Sequence, residues 1–164
     1  MGIARKFSSN NLDRFLKEIP KIVSGEIIRS FSYLGEQCVK RIRERSADDS
    51  WYDQTGNLRS SIGYAVIEDG RKIIESAFQQ VANGTQGANE GRKLIDELAS
   101  QYAKTYALVV VAGMEYAEYV EAMKGKDVLA STEIWAKQQL QQYLNKSLER
   151  AYGRIQKLQH QLGL

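Results

Sequence analysis

The chain has 164 residues, 43% of them hydrophobic, which suits one domain with a sizeable core. Its 23 Lys and Arg against 20 Asp and Glu leave a formal charge of +3, too even to demand nucleic acid or an anionic membrane as partner. The lone cysteine, Cys38, excludes an internal disulfide and any multi-thiolate metal site made by one chain, and the expected setting is a reducing cytoplasm.

Charge is distributed unevenly: the two ends are basic and the middle is acidic. Fields of opposite sign on one small body can orient neighbouring copies, although scattered surface charge also serves solubility alone. The opening residues MGIARKFSSNN contain no apolar targeting segment, and no run approaches the ~20 apolar residues of a membrane span. Neither secretion nor insertion is expected, nor is lipidation.

Along the chain, residues 1–9 are expected to be disordered. From Leu12 to Ile42, apolar residues recur at three- and four-residue steps, which predicts a long amphipathic helix capped by Ser9, Asn10 or Asn11. Pro20, the only proline, is expected to kink or split it near Ile19. Residues 46–57 lose the period and read as a loop carrying Trp51 and Tyr52.

Ile62 to Glu68 alternates and predicts a strand. Asp69-Gly70 signals a two-residue hairpin, and Arg71 to Val81 supplies the returning strand. Residues 82–91, rich in Gly and Asn, read as a flexible connection before a short helix through Leu94, Ile95, Leu98 and Tyr102. Tyr106 to Ala112 is evenly apolar and predicts a central strand covered on both faces. After Gly113 comes a turn or more of helix in MEYAEYVEAM, and then a second long helix between Ser131 and Leu162. The expected fold is one α+β domain spanning residues 1–164: a small, mainly antiparallel sheet packed with a long N-terminal and a long C-terminal amphipathic helix.

Few residues invite chemistry. His160 lies near the C-terminus and Cys38 on the apolar stripe of the first helix, so a Cys/His or Ser/His/Asp site is not expected. Asp48, Asp49 and Asp53 form a carboxylate cluster, and Glu115, Glu118 and Glu121 recur at helical spacing. However, no calcium-loop pattern accompanies them, and a solvated helical face explains the glutamates. Gly84, Gly87 and Gly91 lack the Gly-Lys-Ser/Thr element of a phosphate loop. No catalytic group, cofactor or metal is expected. Lys40, Arg41, Arg43 and Arg45 end the first helix, where they complement its dipole or, alternatively, contact nucleic acid with Trp51 or Tyr52 stacking on bases. Trp51, Tyr52, Tyr116 and Tyr119 are either core or interface anchors.

Two stretches together carry a resemblance: DQTGNLRSSIGYAV, residues 53–66, and VVVAGMEYAEYVEAMKGKDVL, residues 109–129. In this order, between two long helices, they resemble the minor tail-component family of long-tailed bacteriophages, also described as tail-completion or head-to-tail joining proteins. The T-G-x-L-x-x-S-I pattern falls on Thr55, Gly56, Leu58, Ser61 and Ile62. The Y-A-x-Y-V-E pattern falls on Tyr116, Ala117, Tyr119, Val120 and Glu121. The second continues as Ala122-Met123-Lys124-Gly125, where many relatives carry a small-residue turn.

The resemblance implies a structural virion protein rather than an enzyme: copies forming a ring at the neck, between head connector and tail tube or terminator, with DNA passing through without specific binding. It would occupy the bacterial host's cytoplasm before assembly. Under it, Trp51, Tyr52, Arg59, Glu115 and Glu118 become interface candidates, and the 53–62 stretch becomes an architectural corner. Thr55 would cap a turn, Gly56 would adopt a dihedral closed to other residues, and Leu58 would enter the core.

Overall fold

A computed structural model describes residues 7–45 and 51–164, so Asp48 and Asp49 lie outside the described residues. The fold is α+β: a long N-terminal helix, a three-stranded antiparallel sheet and a long C-terminal helix. The chain divides into two compact units, Met1–Ser30 with Gln141–Leu164, and Phe31–Leu140. Among the described residues, no helix is long and apolar enough to cross a membrane.

Helix α1 (Ser9–Arg43) contributes to both units. It is not split at Pro20. The ring removes the N–H that would bond the Leu16 carbonyl one turn earlier, but Leu16 and Pro20 are both exposed, so water can take the freed acceptor.

In the first unit, the N-terminal part of α1 runs antiparallel to the C-terminal part of the last helix. Asn11 donates to the Leu162 carbonyl at one end, and Ser30 meets Ser147 at the other. The charge at its centre is Glu26, 1% exposed, whose carboxylate accepts from Arg150 Nε at 2.8 Å and Arg154 Nη1 at 2.9 Å.

In the second unit, β1 (Ile62–Glu68) lies between β2 (Arg71–Glu75) and β3 (Tyr106–Ala112), antiparallel to both. Asp69 and Gly70 have φ of 51° and 76°, the paired positive values of a tight hairpin turn that matches strand twist. The returning strand is shorter than expected: residues 76–81 are not strand.

The central strand is β1, with six of its residues buried, whereas β3 lies at the edge. Even apolarity along β3 reflects what lies above and below it, not beside it. Its Val109 and Val111 pack with Ala65, Ile67, Phe78 and Ile95.

The short helix α2 (Asn57–Ser60) precedes β1, and the segment expected to be flexible at 82–91 is mostly helical, since it opens α3 (Thr85–Ala99), which a 3₁₀ turn at Ser100–Tyr102 follows. Its glycines serve close approach. A Cβ on Gly87 would stand 1.9 Å from the Asn57 carbonyl oxygen, and one on Gly91 would stand 2.3 Å from the Phe78 ring and 2.5 Å from the Ser61 oxygen. Helix α4 (Ala117–Ala122) and α5 (Ala130–Gln161) complete the chain.

Candidate interaction surface

The corner at residues 53–62 is built around Asp53. Its carboxylate accepts the Gly56 N–H at 3.0 Å and the Arg59 N–H at 2.7 Å, holding the start of α2, while Thr55 Oγ1 accepts only the Asn57 N–H at 3.3 Å. The main cap is therefore Asp53, not Thr55, because a carboxylate bonds exposed helix N–H groups more strongly than a hydroxyl. Gly56 has φ of 79°, as expected of its motif, and Leu58 is 2% exposed.

Ser60 and Ser61 are wholly buried. Ser60 Oγ accepts the Val81 N–H at 2.8 Å, and Ser61 Oγ donates to the Leu58 carbonyl at 2.8 Å. Ile62 continues into the sheet at 0% exposure.

The second motif stretch meets this corner. Tyr116 lines the same cleft as Thr55 and Leu58. Burial pushes the phenol pKa up, the Asp53 charge adds to that, and hydrogen bonding with Thr55 and the Leu58 backbone pulls it partly back. Together, Tyr52, Asp53, Thr55, Leu58, Glu115, Tyr116 and Val120 line a cleft of about 600 Å³. Tyr52 is 76% exposed at this cleft and Tyr119 is 68% exposed on α4; Glu115 and Glu118 are also exposed. Ala117 is buried at the start of α4.

Glu121 holds the beginning of α5. Its Oε2 accepts the N–H groups of Val128 at 2.9 Å and Leu129 at 2.6 Å, and its Oε1 accepts that of Ala130 at 3.2 Å. A carboxylate there satisfies donors that no helical carbonyl can reach and complements the helix dipole. Glu121→Ala should lower stability by about 2 kcal/mol. Amide exchange at Val128–Ala130 should accelerate, with Glu121→Gln intermediate. Unchanged melting and exchange would show that the loop does not depend on this cap.

Other candidates lie elsewhere. Trp51 is 2% exposed, with the Arg59 guanidinium stacked 5.0 Å above its ring and donating to the Arg45 carbonyl. Trp51 is therefore covered within the chain, as its core reading expects, and Arg59, half-buried, makes a contact to the loop after α1.

The basic residues at the end of α1 do not act as one patch. Arg41 stacks on Trp135 at 5.1 Å, and Arg43 donates to the Gln79 carbonyl at 2.6 Å. Arg45 clasps the start of α5 through the Asp127 and Val128 carbonyls, Ser131 and Thr132, and pairs with the Asp127 carboxylate at 3.0 Å. Lys40 remains exposed, 3.9 Å from Glu44. Cys38 is buried, which pushes its thiol up to about 11 and removes thiolate reactivity, and His160 is exposed.

Sequence reasoning missed Asp53 as a cap and Ser60 as a pin. The D-x-x-G spacing before a polar turn was the available signal for Asp53, whereas nothing local marked Ser60. Comparison with known protein families, curated proteins and solved structures gives no match.

Proposed function

We propose that the chain is a structural protein of a bacteriophage virion, a tail-completion or head-to-tail joining component that forms a ring at the neck and has no catalytic role. The observation that supports this reading is the convergence of the two motif stretches on one cleft, where Tyr116 stands against the 53–62 corner beside exposed Tyr52, while Tyr119 is exposed nearby in sequence on α4. Tyrosines anchor protein interfaces at low entropic cost, and a ring needs a heterologous contact whose rotation closes.

Its partners are then other copies of itself, the head connector and the tail tube or terminator. DNA passes the lumen without specific binding, past a surface on which exposed Glu115 and Glu118 repel it. The protein resides in the host cytoplasm before assembly and in the virion afterwards.

The test is the light-scattering mass of the purified chain, alone and mixed with the connector and tail-tube proteins of the same phage, at low and high salt. A closed oligomer or a specific complex is expected. The double variant Tyr52→Ser with Tyr119→Ser should weaken association at least ~30-fold and leave melting nearly unchanged, because both rings are solvent-exposed. Charge reversal of Glu115 and Glu118 that leaves assembly and infectivity unchanged would remove their lumen role. A persistent monomer that ignores both partners and binds DNA in a salt-dependent way would replace this reading with a nucleic-acid-binding one.

A further inference from the structure

The edge strand β3 has one side already used. Gly113 N–H bonds the Ser61 carbonyl, and Asp69 N–H bonds the Thr105 carbonyl. In an antiparallel ladder, hydrogen-bonded pairs alternate. With the register Gly63 to Val111, Ala65 to Val109 and Ile67 to Ala107, the odd-numbered residues of β3 therefore face β1. The N–H and C=O groups of Leu108 and Val110 point to the opposite edge, where they have no backbone partner among the described residues.

That edge opens on a groove of about 470 Å³. Consecutive residues Tyr106 to Val110 line it, so it touches both faces of the strand and follows its edge. Phe31, Leu34 and Cys38 of α1 and Ala136 and Leu140 of α5 wall one side; Leu98 and Tyr102 wall the other. At the rim, Glu133 and Lys137 neutralise each other as a pair.

Proteins usually guard a sheet edge with charge, proline or a bulge. The outer strand β2 has such guards: Lys72 bridges Glu75 and Asp96, and the β1–β2 register slips between Val66 and Ile67. Strand β3, YALVVVA, has no charge, no proline and no register slip.

We propose that this groove takes an extended arm of another protein chain, which joins the sheet beside β3 as a fourth strand. The alternating row of unpaired donors and acceptors fits extended backbone and nothing more compact, and the apolar walls select large apolar side chains at alternate positions. A second copy is disfavoured: its β3 is recessed between the same walls, and its β2 would carry Arg71 and Lys72 into an apolar groove. The inference is independent of the virion reading.

The probe is a capped nine-residue peptide with Val at alternate positions and Thr or Ser between, set against a shuffled peptide of the same composition. The alternating peptide should bind and protect the Leu108 and Val110 amides from hydrogen exchange. N-methylation of its alternate amides in one register should weaken binding at least ~10-fold, and in the other register no more than ~2-fold.

On the protein, Val110→Pro should weaken binding at least ~10-fold while leaving the β1 ladder intact, since that N–H is not used within the sheet. Ala136→Phe, which fills the groove from α5, should do the same should the proline variant fail to fold. Absence of binding, or binding indifferent to N-methylation, would overturn the proposal. Concentration-dependent self-association that protects the same amides would assign the groove to a second copy. Displacement of the peptide by a nonionic detergent without amide protection would assign it to an apolar ligand.

Discussion

Gly56→Ala should strongly destabilise the Phe31–Leu140 unit. Two costs add. At φ of 79°, any Cβ meets the left-handed penalty, and here the Cβ would also stand 2.1 Å from the Val81 oxygen and 2.8 Å from its carbonyl carbon. These are backbone atoms, and residue 81 is fixed by its N–H bond to buried Ser60, so the clash cannot be relieved by a rotamer change. A left-handed cost of ~1–2 kcal/mol plus an overpacking cost of ~1–3 predicts a loss of about 3 kcal/mol. For a chain of this length that corresponds to a melting temperature lower by roughly 10 °C.

Gly125→Ala separates the two costs. Its φ is 74°, but nothing lies within 4 Å of the added Cβ, so only the dihedral penalty applies. Both tryptophans, Trp51 and Trp135, lie in the Phe31–Leu140 unit, so fluorescence reports its unfolding directly. Equal melting of the two variants would refute the close-approach account of the corner.

The sequence exposed this corner more clearly than its surroundings, for physical reasons. Long helices announce themselves because an apolar stripe repeats over many turns, and Asp69-Gly70 announces a hairpin because few residue pairs tolerate two positive φ values. The position of β3 was not legible. Tyr106 to Ala112 is apolar on both faces, yet strand order depends on which hydrogen bonds form sideways, and side-chain polarity does not encode that. Residues 82–91 misled because glycine needed for close approach looks the same in sequence as glycine needed for flexibility. Trp51 stayed open between two roles, since one indole can serve a core or an interface and only its neighbours decide. The cleft was not legible, because it joins residues 52–58 to residues 114–120, a relation no local pattern contains. Glu26 did leave a trace. It lies among Ile22, Val23 and Ile27 of the apolar stripe, but that alone does not say that its charge is buried, since its partners lie more than a hundred positions away.

Glu26→Ala should be the corresponding large loss in the helix pair of Met1–Ser30 and Gln141–Leu164. The carboxylate, 1% exposed, is held by Arg150 and Arg154, with Arg29 Nη1 at 3.4 Å; Arg150 also donates to Ser30 Oγ at 2.8 Å. Removing it leaves three guanidinium groups together without their counter-charge. A fully dry pair would lose ~3–5 kcal/mol, but Arg150 and Arg154 are 42% and 52% exposed, and that screening brings the expected loss to about 2–3. With no tryptophan in this unit, the loss should appear in helical circular dichroism and leave the fluorescence melt largely in place.

The pH dependence has a definite sign. The Arg150 hydrogen bond outweighs the cost of burial and, with Arg154 and Arg29, holds the Glu26 carboxyl below its ordinary value of 4.5. Its contribution is therefore fully present above that value and lost as pH falls through the lower folded-state value. Wild type should lose helical stability on acidification below about pH 4.5, whereas Glu26→Gln, with nothing to protonate, should lack that component. If both lose stability along the same acid curve, Glu26 is not the group that titrates. Replacing Glu26, Arg150 and Arg154 together with apolar residues of similar volume should restore most of the loss, because it removes the stranded charges along with the pair.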